Sequence, residues 1–432
     1  MISSVFLILS LLILFLWSNA NANVNVNILH ISDIHLDLSY YAGSPSNCLL
    51  GKTGLGCCRS NSIPIEPYRN ASVWGDFNCD TPLSLWNATL LWIRNTLQVD
   101  VIIMTGDIVN HHDLTQSWSQ NYNTIKTALT MLHDTFPNTI VIPVLGNHDT
   151  FPVDQLVPSV TAPQILSDVC NIWSVWLPPK SLPSCKECGV YSFVILVANV
   201  SIRVIALNSL YYDPNNLALL LYPPNYDICG QKSYVQSMMN LARMNKERVW
   251  IIGHISPESS ECSNDFALFL QDMSVQYADI ICGQFFGHSH ADEFRLLRNN
   301  ASVPIQSIFV APSVVPSGHF PGVRLYQFDG SHVILSDYMQ YHLNLTKQIQ
   351  SETFIGYTET YTFTDYYELP DASSASLIDL SKRMKQDRDV FAKYVYVFEF
   401  GKANSTCNSE CYKSTMCDIN YVTEPDHSIC LN

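Results

Sequence analysis

Five short segments concentrate the residues able to hold a metal ion or handle a phosphate: Asp33-Ile34-His35, Gly106-Asp107, Gly146-Asn147-His148-Asp149, Gly253-His254 and Gly287-His288-Ser289-His290. Each follows an apolar, strand-like run, and loops at strand ends are where α/β sheets gather ligands. The glycines let the backbone turn sharply and come close to an ion. Asp33, His35, Asp107, Asn147, His254, His288 and His290 carry the carboxylate, amide and imidazole donors that divalent transition metals take. These donors exceed what one tetrahedral ion needs; a carboxylate shared by two ions, for which Asp107 is suited, resolves the surplus. In Asp33-x-His35 and His288-x-His290 the alternation of an extended segment turns both side chains the same way. A lone Asp-x-His or Gly-His is more often a turn, but all five in order, each after a strand, point to one metal cluster.

The elements that must position these loops follow from the patterning. From residue 26 to about residue 341 short apolar runs alternate with helical stretches, predicting an α/β domain. Strands are expected at 27–31, 101–104, 139–145, 190–197, 202–207, 249–252, 308–311 and 333–338. Helices are expected at 82–99, 115–134 and 231–244, where apolar residues recur three and four apart. Segment 47–82, rich in Gly, Cys, Ser and Asn, reads as a disulfide-pinned insertion. Beyond about residue 346 the alternation stops; 369–391 looks helical and a cysteine cluster closes the chain. The expected organisation is a leader at 1–22, a catalytic domain at 23–345 and a helical, disulfide-bonded region at 346–432.

Composition bounds the compartment and the partners. The 432-residue chain has room for one large domain plus an appendage. Its formal charge of -15 argues against binding a nucleic-acid polymer. The densest basic group, Lys382, Arg383, Lys385 and Arg388, reads as one face of an exposed helix. The apolar run 5–17, followed by Ala20-Asn21-Ala22, predicts a signal peptide cleaved after Ala22, although no basic residue precedes it. No other membrane-spanning segment is expected. Six Asn-X-Ser/Thr sequons, at Asn70, Asn87, Asn199, Asn300, Asn344 and Asn404, are candidate N-glycan sites. The fourteen cysteines are even in number and clustered, which fits an oxidising compartment, secreted or lysosomal. Cys185-x-x-Cys188 has no partner pair for zinc and no thioredoxin-like helix, so structural bridges are expected there.

The ordered motif set resembles the calcineurin-like metallophosphoesterase superfamily. Ile31-Ser32-Asp33-Ile34-His35, Gly283-Gln284-Phe285-Phe286-Gly287-His288 and Ala311-Pro312-Ser313-Val314 are similar to acid sphingomyelinase and its shorter relatives. The likeness runs from about residue 27 to residue 430. It implies an α/β fold with a central β-sandwich flanked by helices, and two Zn2+ per chain. Asp33, His35, Asp107 and His290 would hold one ion; Asp107, Asn147, His254 and His288 the other. Manganese and iron are also compatible with these donors. The implied reaction is in-line attack on phosphorus by water activated between ions about 3.5–4 Å apart. His148, oriented by Asp149, would protonate the leaving oxygen. His111 matches a second active-site histidine, with His112 as its rival. His30, His133, His319, His332, His342 and His427 are read as structural or surface. The likeness further implies disulfides Cys48–Cys57, Cys58–Cys79, Cys407–Cys411 and Cys417–Cys430, with the central six cysteines unassigned.

Departures from neighbouring families narrow the reaction. Asn110 stands where purple acid phosphatases carry a tyrosine ligand, and no arginine lies between Asp107 and Arg203 to clamp a phosphate as in protein phosphatases. A phosphoric diester hydrolase is therefore expected. Its substrate is either sphingomyelin, giving ceramide and phosphocholine, or nucleotides and related soluble phosphate esters. The lack of a saposin-like stretch between the leader and residue 27 resembles the shorter relatives. The apolar segment 217–224 either makes transient contact with a membrane surface or packs into the core. Phe320 precedes Pro321-Gly322 where the family places Asn, which changes the pocket near His319. The alternatives are a secreted ligand-binding pseudoenzyme, against which the intact donor set argues, and a phosphomonoesterase.

Overall fold

The structure, a computed structural model, describes residues 25–49, 56–112, 116–223, 226–258, 260–398 and 407–432. The expected leader and the sequon at Asn404 lie outside the described residues. Its main strands, in chain order, are β1 (Asn25–Ile31), β2 (Val101–Met104), β3 (Ile140–Pro143), β4 (Tyr191–Val197), β5 (Val200–Ala206) and β6 (Arg248–Ile252). They continue with β7 (Ile281–Phe286), β8 (Glu293–Arg298), β9 (Pro304–Val310), β10 (Gly322–Asp329), β11 (Ile334–His342) and β12 (Thr358–Thr362).

These strands form two six-stranded sheets, ordered β12-β11-β10-β1-β2-β3 and β8-β9-β7-β6-β5-β4. Strands β1, β2 and β3 run parallel, as do β5, β6 and β7, so their carboxyl ends emerge together. Strand β2 and, after Arg248, strand β6 are unbroken apolar runs because both of their faces are covered. The sheets meet through aromatic side chains: Trp250 lies 5.7 Å from Phe328 and Phe285 lies 5.2 Å from Tyr326, ring centre to ring centre. Helix Gln231–Met244 covers β5 and β6, while Asn264–Gln276, Ser374–Gln386 and Ser409–Asn420 cover the β8–β9 side. Helices Leu83–Thr96 and Trp118–Thr135 pack on each other, the Trp86 indole donating to the Ala128 carbonyl at 3.3 Å.

Four strands escape the sequence pattern. Strands β8 and β10 bury Arg295 and Arg324, each paired with a buried acid, Glu293 and Asp292 respectively. Paired charges are tolerated inside but break the apolar signature. Strand β7 is interrupted by Cys282-Gly283-Gln284, with Gln284 bonded to Ser274 and to the Ser307 carbonyl. Strand β12, Thr-Glu-Thr-Tyr-Thr, pairs antiparallel with β11, so the chain beyond residue 345 adds a strand to the first sheet as well as helices.

Segment 369–391 resolves into two helices, Ser374–Gln386 and Arg388–Phe398, separated by extended backbone at Asp387. The basic group therefore spans a break. Arg388 stacks on the Tyr412 ring at 3.2 Å, while Arg383 donates to the Tyr367 carbonyl. The four implied disulfides are present. Cys185 and Cys188 take separate partners, Cys170 and Cys229. Cys262 and Cys282 are free. Among the described residues no helix is long and apolar enough to cross a membrane.

Candidate metal centre

The carboxyl ends of both sheets deliver the seven predicted donors to one place. Asp33 and His35 follow β1, Asp107 follows β2, Asn147 follows β3, His254 follows β6, and His288 and His290 follow β7. The donor atoms of Asp33, His35 and Asp107 lie within 4.8 Å of one another, as do those of Asp107, His254 and His288. Extended alternation is not what brings them together. Asp33, His35, Asp107, His288 and His290 have φ of 50°, 44°, 52°, 77° and 63°, the left-handed region that residues with a Cβ disfavour. Such strain collects where a site must be aimed. Gly146 is needed for close approach, since a Cβ there would lie 2.1 Å from Asp107 Oδ1.

Hydrogen bonding fixes which atoms face inward. His35 Nδ1 donates to the Val109 carbonyl at 2.8 Å and His254 Nδ1 to the Thr105 carbonyl at 2.6 Å, so in the neutral imidazoles both Nε2 atoms present lone pairs. Asn147 Nδ2 donates to Asp154 Oδ1 at 2.9 Å, which turns Oδ1 inward. His288 Nε2 meets Glu261 at 3.2 Å, leaving Nδ1 for the cluster. Acceptors then confront acceptors: His254 Nε2 is 2.9 Å from Asn147 Oδ1 and 3.2 Å from His288 Nδ1. His35 Nε2 also lies 3.1 Å from His290 Nε2. Asp107 Oδ2 serves both groups, 3.5 Å from His35 Nε2 and 3.3 Å from His254 Nε2. Facing lone pairs are satisfied by a cation between them, so this donor set fits a divalent metal centre.

The electrostatics agree. Burial pushes Asp107 upward, but His254, His148 and His35 outweigh it and hold the carboxyl well below the usual range. Burial would lower His254, yet Asp107 raises it to about 9, so the pocket that suits a cation also draws a proton onto this imidazole. Burial, with His111 adding to it, drives His35 and His290 well below the ordinary histidine value. Asp33 is raised, chiefly by burial.

Two further histidines line the centre. His148 is half-buried, its backbone N–H donating to Asp107 Oδ1 at 2.8 Å. His111 stacks on His35 with ring centres 3.7 Å apart and stands 4.6 Å from the His148 ring. His112 instead is buried beside Asp37 and Asp80, so of the two neighbours it is His111 that meets the donors. Asp149, expected to orient His148, is engaged with the backbone of two loops. Its carboxylate accepts from the Gly146, Ile108 and Val109 backbone N–H groups, bracing the loops after β2 and β3, and burial raises it to about 7.

Sequence reasoning missed Asp80, Asp154, Glu261, Ser32 and Thr105. Asp80 binds His111 twice, through Nδ1 at 2.7 Å and the backbone N–H at 2.9 Å. Ser32 and Thr105 had a signal, since a hydroxyl residue directly precedes both Asp33 and Gly106-Asp107. The other three lie on loops with no pattern around them. The apolar segment divides: Leu217, Leu220 and Leu221 are 54%, 81% and 64% exposed, while Ala218 is buried and Leu219 and Tyr222 pack against the core. Gln155 ties it to the centre, bonding Asn215 and Leu217 while its neighbour Asp154 holds Asn147.

A fold of this kind carrying this donor set defines a metal-dependent phosphoesterase. The family description "Calcineurin-like phosphoesterase" matches residues 26–292, and "Acid sphingomyelin phosphodiesterase C-terminal region" matches residues 303–432. The cyclic GMP-AMP phosphodiesterase SMPDL3A of Homo sapiens is 32% identical over 93% of this chain and 89% of its own length. Sphingomyelin phosphodiesterase A of Dictyostelium discoideum is 31% identical over 93% of this chain and 67% of its own length. Acid sphingomyelinase-like phosphodiesterase 3b of Mus musculus is 29% identical over 93% and 89%. The chain belongs to the acid sphingomyelinase-like phosphodiesterase family, and is a phosphoric diester hydrolase.

Proposed function

We propose that this chain is a zinc-dependent phosphodiesterase of a secretory or lysosomal compartment, acting on nucleotide-type and related soluble phosphodiesters. The observation that carries the reading is the pair of facing acceptor clusters sharing Asp107 Oδ2. Asp33, His35, Asp107 and His290 would hold one Zn2+, and Asp107, Asn147, His254 and His288 the second. Bound zinc supplies Lewis acidity toward the phosphoryl oxygens and a nucleophile at neutral pH. The chain's own residues do the rest. His148 and His111 stand side by side at the half-buried mouth, where an imidazole N–H can protonate the leaving oxygen. Asp80 orients His111 by accepting from both its ring and its backbone. Residue Asn147 is held by Asp154, and His288 by Glu261, before substrate arrives.

The soluble-substrate reading is supported by the cyclic GMP-AMP phosphodiesterase, which aligns with this chain over most of both lengths. A sphingomyelin reading is favoured by the bare leucines 217, 220 and 221 beside the loop that carries Asp154. Six disulfides, and sequons exposed at Asn70, Asn87, Asn199 and Asn300, support export with N-linked glycans; Asn344 is half-buried.

The test is hydrolysis by the purified chain of cyclic GMP-AMP, ATP, CDP-choline and sphingomyelin vesicles, before and after zinc chelation. Cleavage of the nucleotides that stops on chelation and returns with zinc is the expected result. Activity that survives chelation would refute the metal reading. Vesicle cleavage lost in Leu220→Ser/Leu221→Ser, with nucleotide cleavage intact, would give the lipid reading its substrate.

A further inference from the structure

Behind Asp33 runs a line of fully buried polar groups that the ligand set does not use. Ser32 Oγ donates to Asp33 Oδ2, Thr105 Oγ1 donates to Ser32 Oγ at 2.6 Å, and His30 Nε2 lies 3.0 Å from Thr105 Oγ1. Two longer contacts extend it: His30 Nδ1 to the Tyr326 hydroxyl at 3.5 Å, and Arg324 Nη1 to that hydroxyl at 3.4 Å. His30, Ser32, Thr105, Arg324 and Tyr326 have no exposed surface. We propose that this line is a directional hydrogen-bond relay that orients Asp33 toward its metal, with His30, Thr105 and Ser32 as positioning residues.

The direction follows from donor bookkeeping. Thr105 has one hydroxyl proton, and it points at Ser32, so the Thr105 oxygen must accept from His30 Nε2–H. Burial, with Arg324 beyond it, keeps the His30 imidazole neutral, so Nδ1 is left as the acceptor facing Tyr326. Arginine only donates, and it sits at the far end. Every proton along the line therefore points toward Asp33. At the near end the two carboxylate oxygens are distinguished. Oδ2 receives Ser32, while Oδ1 lies 3.5 Å from His290 Nε2 and 4.0 Å from His35 Nε2, on the metal side.

Gly287 is an independent sign that the line is built in. A Cβ at this position would stand 2.0 Å from Ser32 Oγ, 2.8 Å from Asp33 Oδ2 and 2.9 Å from Thr105 Oγ1. The glycine that opens Gly-His-Ser-His is what lets β7 close over the relay. The relay also joins the two matched regions of the chain. Asp33, Ser32, His30 and Thr105 belong to residues 26–292, whereas Arg324 and Tyr326 belong to 303–432. Arg324 is itself anchored by Asp292, which accepts from the Tyr361 hydroxyl of β12 at 2.5 Å.

The inference rests on Asp33 being a metal ligand, as proposed above. It is tested on the purified full chain with Thr105→Val, which keeps the shape but deletes the hydroxyl, and with His30→Gln and His30→Leu. The readouts are the rate of zinc loss to a chelator, kcat and KM, and the melting temperature of the metal-free proteins. Partners of this kind change metal affinity or activity by roughly 10- to 100-fold. T105V and H30L should lose zinc faster by about that factor, with kcat reduced and KM within roughly threefold of the wild type. H30Q, which restores a donor near the Nε2 position, should return zinc loss to within about threefold of the wild type. Metal-free T105V should melt with the wild type. Wild-type zinc retention in T105V, or equal damage in H30Q and H30L, would overturn the relay. A wild-type chain that binds no zinc would remove the relay and the proposed function together.

Discussion

Asp80 offers the sharpest test of how the mouth of the site works. It is buried, follows Cys79 of the Cys58–Cys79 disulfide, and accepts from His111 at both Nδ1 and the backbone N–H. His111, His112 and His35 together overcome the burial that would raise its carboxyl, and hold it far below the usual range. Asp80 is thus ionised throughout the working range, and its bond to His111 is charge-assisted. Such a bond contributes about 1.5–3 kcal/mol, which is roughly 10- to 150-fold in rate if it acts in the transition state. Asp80→Asn keeps the shape and loses the charge. The prediction is a fall in kcat within that range, with KM and bound zinc little changed because Asp80 is not among the metal donors. The decisive assay repeats the substitution in a His111→Ala background. If Asp80 acts through His111, the second loss should vanish there. An Asp80→Asn penalty of full size without His111, or a matching loss of zinc, would refute the reasoning.

Two other outcomes follow from the same geometry. Asp107→Asn removes the charge both clusters share, so turnover should fall below detection and bound metal by at least half; near-normal activity would sink the two-metal assignment. His342 reports on the fold: burial first, then Arg324, push its imidazole down to about 3. The fold keeps it neutral while the unfolded chain protonates it, so its contribution is whole above the ordinary histidine value and is lost as pH falls toward the folded one. Between about pH 7 and pH 5 the loss is about 2 kcal/mol. In His342→Gln the urea midpoint should depend correspondingly less on pH in that interval, and an unchanged slope would contradict the assignment.

What the sequence makes visible here is whatever is local and repetitive. Strand β2 is a pure apolar run and β6 is one after Arg248, and the motifs stand directly after them, so the candidate donors could be named from the sequence. Helix Gln231–Met244 was bounded to the residue by its spacing. The pattern fails where burial is satisfied by pairing. Arg324 inside β10 and Arg295 inside β8 look like surface residues until Asp292, Glu258 and Glu293 are seen beside them. It fails again where a residue acts from afar, as Asp80 does across 31 positions to reach His111. The central six cysteines, unassigned from the sequence, do not all pair: Cys262 and Cys282 are free, with burial raising both thiols to about 12. The alternation argument for Asp33-x-His35 reached the right convergence by the wrong geometry, because left-handed backbone does the aiming.

That last difference explains why the site needs both sheets. Five donors sit in backbone that an isolated loop would not hold, at a cost on the order of 1–3 kcal/mol each. Local propensity offers nothing to offset this, so the surrounding structure must. The Asp33 backbone N–H is tied to the Gly106 carbonyl at 3.1 Å and that of His35 to the Asp107 carbonyl at 3.0 Å, locking the first loop to the second. His288 N–H in turn lies 3.1 Å from Asp33 Oδ2, locking the second sheet's loop to the first sheet's carboxylate. Each strained residue is therefore held by a partner from a neighbouring strand end, and no single loop can relax alone. The donors come preassembled because relaxing one would undo bonds in both sheets. On this view the aromatic contact between the sheets, Trp250 on Phe328 and Phe285 on Tyr326, holds together the two frames whose strand ends carry the donors.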